Sequence, residues 1–264
     1  EFARTAALRG HNVILHEAMK TLGGQVIMAA SAPHRADLGA VVSWLAEQLD
    51  ELGVEVHLNS YVDAAMIANL NPDEEVIATG TTPRTDGMQQ STPAKAIAGF
   101  ALPHVYSPWD ILGFGDIPDL KGPAVIYDDT GSFEAMSVAD VLLEKGLWVT
   151  LVGRLDAPGA ALPYPPVTAG AARERLYNSN FDFVGGHYLK GINPNSVDIG
   201  VLFTERQRQL EANTVVFVGY NEPNRDLWQT LDAQGRSTHL LGDVRGRNSI
   251  RSAIHAGREL GSSL

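Results

Sequence analysis

The 264-residue sequence predicts an α/β fold in which helices cover parallel sheets, arranged as two related units. Three observations carry that prediction. Short uninterrupted apolar runs at 13–15 (VIL), 124–127 (AVIY) and 214–218 (TVVFV) suit strands covered on both faces. Residues 36–52 place Leu38, Val41, Val42, Leu45, Leu49 and Leu52 along one stripe at helical spacing, and Gly53 stops it. Residues 137–154 (SVADVLLEKGLWVTLVGR) repeat the layout of residues 1–18 (EFARTAALRGHNVILHEA) without a gap, with Ala139 on Ala3, Gly146 on Gly10, Val149 on Val13 and Leu151 on Leu15.

The elements follow in order. Residues 1–10 read as a helix closed by Gly10, and 11–18 as a strand. A helix that feeds a buried parallel strand itself follows a strand and a turn, so the expectation is a chain cut inside its first βαβ unit. The second copy has both, a strand at 124–127 and a turn at 128–134 (DDTGSFE). Residues 54–58 and 75–78 read as strands, and 81–123, rich in Pro, Gly and Thr, as a crossing region outside the core. The run 214–218 closes the second unit, and a last strand at 238–241 precedes a helix at 249–260. The expected domains are 1–121 with 220–264, and an inserted 122–219.

Composition excludes several classes of function. Lys and Arg number 20 against 31 Asp and Glu, a formal charge of −11, which repels nucleic acid and anionic lipid. With no cysteine there is no disulfide, thiolate nucleophile or cysteine-held cluster in this stretch, and the eight histidines lack metal-ligand spacing. No apolar run reaches membrane-spanning length and residues 1–10 lack a signal-peptide layout, so the expectation is a soluble, cytoplasmic protein with no membrane partner. No side chain is read as a general acid, base or nucleophile with a positioned partner, and Tyr127, Tyr164 and Tyr188 read as packing residues.

The candidate residues are therefore binding residues. Glu17, followed by Ala18, ends the strand after the first helix, where a dinucleotide-binding unit places an acid on the ribose hydroxyls. Gly24 and Gln25 lie in a flexible turn, Arg35 precedes the long helix, Thr79 and Gly80 end one apolar strand, and Gly242 and Asp243 follow another. Each also has a plain reading: a solvated carboxylate, a simple turn, a surface arginine. In the second copy the glycines of G-x-G-x-x-G fall on Thr130, Ser132 and Ala135. Asp128 and Asp129 add negative charge beside them, and Gly153 replaces the ribose acid, with Arg154 next to it. Side chains at 130 and 132 obstruct a diphosphate, so NAD(P)H binding there is not expected.

In this order HNVILH with Glu17, LGGQ (22–25), APHR (32–35), VIATGTTPR (76–84), PHVYSPWDIL (103–112) and LLGDVRGRNSIRSAIHAGRELG (240–261) make a specific pattern. It resembles the C-terminal half of the multidomain flavin oxidoreductases that include 2,4-dienoyl-CoA reductase, trimethylamine dehydrogenase and histamine dehydrogenase, over essentially the whole chain. The resemblance implies two nested Rossmann-like units, the first without its initial strand and glycine-rich loop. It implies contact of Glu17, Ala18, Gly24, Gln25, Arg35, Thr79, Gly80, Gly242 and Asp243 with ADP, bare or within FAD. It also implies an N-terminal barrel, absent here, that carries FMN, a 4Fe-4S cluster and the substrate chemistry. The altered second turn resembles the amine dehydrogenases, which keep ADP as a non-redox ligand. Two alternatives stand beside that reading: an FAD-dependent relay oxidising NAD(P)H, and a non-catalytic ADP-binding module. On any of them the fragment alone is expected to be unstable and without catalysis, and a homo-oligomer is compatible with the sequence. No C-x-x-C pair is present, which separates the chain from the disulfide reductases of similar fold.

Overall fold

In the computed structural model, which describes residues 1–113, 115, 117–162, 167–246 and 249–264, the repeat appears as two helix–strand pairs. The helices Phe2–Leu8 and Phe133–Glu144 end on residues that the repeat equates, and the strands Ile14–His16 and Val149–Gly153 follow at matching positions. Gly10 and Gly146, the equated stops, both have positive φ, 93° and 78°. The chain divides into two units: Glu1–Ile27, Asp37–Thr82 and Asn221–Leu264 form one, Met28–Ala36 and Pro83–Tyr220 the other.

The second unit holds a five-stranded parallel sheet, in the order Val105–Tyr106, Thr214–Val218, Ala124–Asp128, Val149–Gly153, Phe181–Val184. Alternate residues serve alternate faces, which is why its strands read as unbroken apolar runs. Ile126, Leu151 and Val216 pack beneath the helices with Ala135, Leu142, Leu176 and Ile111. Val125, Tyr127, Val215 and Phe217 pack against Leu189, Ile192, Val197 and Ile199. Those last four come from an antiparallel sheet, His187–Asn193, Ser196–Val201 and Gln207–Glu211, that the sequence analysis did not foresee. Its edge strand, QRQLE, carries a single apolar residue, Leu210, too little alternation to read. Tyr127 is fully buried and stacks on Phe217 at 5.7 Å, and Tyr188 is partly buried in the same cluster; Tyr164 lies outside the described residues.

The region 81–123 corrects an expectation. Ile97, Ile111 and Leu112 are core residues, and Val105–Tyr106 extends the sheet along Thr214–Val218. Residues 83–121 accordingly group with the second unit, as do 28–36, so the division falls at 82/83 instead of 121/122. Turn-forming composition marked the punctuation there but not the few large side chains between the turns.

In the first unit, Ile14–His16 pairs in parallel with Glu55–His57, Val76–Ile77 pairs in parallel with His239–Leu240, and Thr81–Thr82 pairs antiparallel with Glu222–Pro223. Val13, Leu15, Val54 and Val56 pack with Ala3, Leu49 and Leu52. Ile14, on the opposite face, is 41% exposed, so the strand buries one face where the sequence suggested two. The long helix is Gly39–Glu51, entered through a 3-10 turn at Ala36–Leu38. Helix Ile250–Ser263 starts on the Ser249 cap and lies against Phe2–Leu8, where Gly257 and Gly261 allow close approach. Among the described residues no helix is long and apolar enough to cross a membrane, and no three His, Asp or Glu side chains gather as metal ligands.

Candidate functional site

The first unit brings three distant segments to one point. Gln25, the first residue of the helix Gln25–Ser31, donates from Nε2 to Thr81 Oγ1 at 2.9 Å and reaches Asp243 Oδ2 at 3.5 Å. Gly80, at φ 71°, lies alongside: a Cβ built on it would stand 3.9 Å from Gln25 Nε2. Asn221 Nδ2 donates to the same Thr81 hydroxyl at 3.4 Å. Thr79 is tied to the returning chain, its Oγ1 donating to Asn224 O at 2.5 Å while Asn224 N–H donates to Gly80 O at 3.0 Å.

Asp243 is held from below. Its neighbour Val244 is fully buried with Ile67, Ile77 and Leu231. Arg225 donates to Val244 O at 2.9 Å and to Arg245 O at 3.0 Å. Gly242, at φ 70°, turns the chain out of the strand His239–Leu240. Past it, an open hollow of about 620 Å³ runs along Gly242, Arg245, Ser249, Arg251, Ser252 and His255, at the N-terminal turn of helix Ile250–Ser263. Two guanidiniums and a helix start favour anions there, against one carboxylate, Glu259, on the same wall.

Glu17 forms a second group, at the ends of the two parallel strands. Its Oε1 accepts from Met19 N–H at 2.9 Å, which fixes the carboxylate and leaves lone pairs for a further donor. Ala18 is exposed in the bend beside it. His16 and His57 are register partners and stack at 4.7 Å, and His16 Nδ1 bonds Ser60 Oγ at 2.9 Å. Gly24, at φ 48°, shapes the turn before Gln25. Arg35 goes elsewhere: it belongs to the second unit and lies over the Phe133 ring at 4.3 Å, where burial lowers its pKa. Thr81, Asn221, Arg225, His16 and His57 were missed by the sequence reading, and strand register was the signal that could have found the two histidines.

In the second unit the altered turn is a closed polar network. Asp128 accepts from residues 130 and 131, and Ser132 caps the helix Phe133–Glu144. Asp129 accepts from Gln90 N–H at 2.8 Å and Tyr127 Oη at 3.2 Å, and lies 3.6 Å from Arg154 Nε. Burial pushes both carboxyls above the ordinary carboxylate value and the Tyr127 phenol up as well. Arg154 thus points inward to Asp129, and Gly153 ends its strand opposite Asp128.

No protein-family model matches the chain. Over 97% of its length it is 30% identical to an NADH oxidase of Thermoanaerobacter brockii, of which it covers 38%. Over its full length it is 40% identical to a cinnamate reductase of Clostridium sporogenes, covering 37% of that protein. Its fold matches histamine dehydrogenase from Rhizobium sp. 4-9 with a TM-score of 0.91, over 100% of this chain and 39% of that one, at 24% identity. The chain therefore spans roughly two-fifths of the length of the proteins it matches. The two curated relatives are named as oxidoreductases, and this chain is similar to a part of each.

Proposed function

We propose that the first unit binds the adenosine diphosphate moiety of ADP or FAD, as the nucleotide-binding portion of a flavin oxidoreductase. The substrate chemistry lies on a separate barrel domain that carries FMN and a 4Fe-4S cluster. The observation that carries this reading is the meeting of Gln25, Thr81 and Asp243, from three segments, beside a hollow edged by Arg245 and Arg251. The donor set fits the group. A carboxylate such as Glu17 accepts from ribose hydroxyls, an amide and backbone N–H groups donate to diphosphate, and guanidiniums offset its charge.

Bound FAD would supply two-electron flavin chemistry; bound ADP would be a structural ligand. In either case Glu17 orients the ribose; with FAD, Gln25 and Asp243 would also orient the ribityl chain beyond the diphosphate. Gly242 lets the backbone come close. The test is to denature the purified full-length protein, separate the released nucleotides and count them per chain. One ADP or FAD per chain, with a smaller amount retained by Asp243→Ala, is the expected result. Release of neither contradicts the reading.

A second reading is the relay, in which FAD here accepts electrons from NAD(P)H. The 30% identity to an NADH oxidase favours it. It requires steady NAD(P)H oxidation by the full-length protein.

A further inference from the structure

A dinucleotide-binding unit receives diphosphate on the backbone N–H groups of the turn between its first strand and helix. In the second unit that turn joins Ala124–Asp128 to Phe133–Glu144, and its donors are already engaged. Asp128 Oδ1 accepts from Thr130 N–H at 2.9 Å, from Gly131 N–H at 2.8 Å and from Thr130 Oγ1 at 2.9 Å. Gly131 sits at φ 66°, which points the successive N–H groups of 130 and 131 into one concavity, an arrangement suited to anions. The next donor, Ser132 N–H, goes to Thr130 Oγ1 at 3.2 Å.

The turn is also covered. Residues 128–131 are all buried, Asp128 to 3% exposure. Ala161 N–H donates to Gly131 O at 3.0 Å. A Cβ on Gly131 would fall 2.4 Å from Leu155 Cδ1 and 3.1 Å from Ala161 N, so the segment 155–161 rests directly on the turn.

We propose that the Asp128 carboxyl group takes the place of a diphosphate in this turn, and that the segment 155–161 seals it, closing the second unit to nicotinamide dinucleotides. A dinucleotide would have to displace the carboxyl from three donors, lift 155–161, and set its diphosphate beside the Asp129 carboxyl. This goes beyond the poor match to a glycine-rich pattern: the site is filled by the protein's own side chain. It needs nothing from the first unit, and it weighs against the relay reading.

The test uses the full chain saturated with ADP, so that adenosine-bearing ligands do not report on the first unit. Titration with NADH and NADPH, followed by nicotinamide fluorescence, is expected to show no saturable binding up to about 1 mM. Asp128→Ala is expected to melt below the wild type. Inorganic diphosphate at about tenfold its Kd is expected to raise the variant's Tm by about 3 °C more than the wild type's, with sodium chloride of equal ionic strength giving no such difference. A saturable nicotinamide signal in the wild type overturns the proposal, as does an equal diphosphate response in both proteins. Should the alanine chain not fold, the wild-type titration decides. Asp128→Asn, which keeps the acceptor oxygen, is then expected to fold and to stay without a nicotinamide signal, and its binding of NADH would count against the seal formed by 155–161.

Discussion

Gln25 and Asp243 stand 218 positions apart in the sequence, yet Nε2 of one lies 3.5 Å from Oδ2 of the other. Both are polar, both end up partly buried, and each orients the other. Such a pair is informative because a buried polar side chain without a partner is unfavourable, and two distant segments are held together so that each has one.

Asp243→Ala removes the carboxylate and leaves the Gln25 amide with Thr81 alone. Loss of a charge-assisted contact to a ligand hydroxyl weakens nucleotide binding by roughly 10- to 100-fold. Calorimetric titration with ADP and FAD measures it. Gln25→Ala is expected to fall near the lower end, and an unchanged affinity in both variants would remove this cluster from the binding site.

Arg225 acts through the backbone it holds. Replacing it with alanine frees the carbonyls of Val244 and Arg245, so Asp243 loses its support while its own side chain stays intact. The expected result is a nucleotide affinity reduced about tenfold, with partial recovery in Arg225→Lys, which restores one donor of the fork. Equal loss in both variants would mean that the two-pronged geometry, and not a single donor, is what counts.

The acid pair of the second unit gives a pH dependence of known sign. Burial raises the Asp129 pKa, so between the ordinary carboxylate value and that raised value the folded chain holds a proton that the unfolded chain has released. Stability from this group is therefore largest at low pH and falls as pH rises through that window. The Tm of the wild type relative to Asp129→Asn should decline from pH 4 upward. Asp86 runs the other way: Arg84 holds its pKa down at about 2, so its contribution is present above the ordinary carboxylate value and is lost as pH falls toward 2. Melting the wild type, Asp129→Asn and Asp86→Asn across pH 3 to 7 checks the two slopes together.

Gly261 marks a backbone contact. A Cβ there would stand 2.9 Å from Phe2 O and 2.9 Å from Thr5 Cβ, so Gly261→Val forces the helices Ile250–Ser263 and Phe2–Leu8 apart. The expected destabilisation is about 1–3 kcal/mol, read by denaturant melting. An unchanged midpoint would show that the C-terminal helix contributes little to the unit.

Much of this fold was legible because it rests on local pattern. The strands Ala124–Asp128 and Thr214–Val218 are unbroken apolar runs since both faces of their sheet are packed. The repeat was visible since the same helix–strand step is built twice. The antiparallel sheet escaped notice because its edge strand Gln207–Glu211 offers one apolar residue, Leu210, and the core residue Ile97 because it stands alone between turns; Ile111 and Leu112 sit in a short helix, Pro108–Leu112, inside a stretch of turn-forming composition.

The site divides in the same way. Glycines at strand ends and an acid after an apolar run are local signs, so Glu17, Gly80, Gly242 and Asp243 stand out one at a time as candidates. Which of them share a place was not a local matter. Thr81 joins Gln25 to the group, Arg35 leaves it for Phe133, and Asp128 turns from a charge beside the phosphate turn into the group that fills it. The order of residues determined the elements, since backbone preference and apolar periodicity act over a few positions. The tertiary structure decided the partners, since hydrogen bonds and burial depend on distances that the chain acquires only when remote segments pack together.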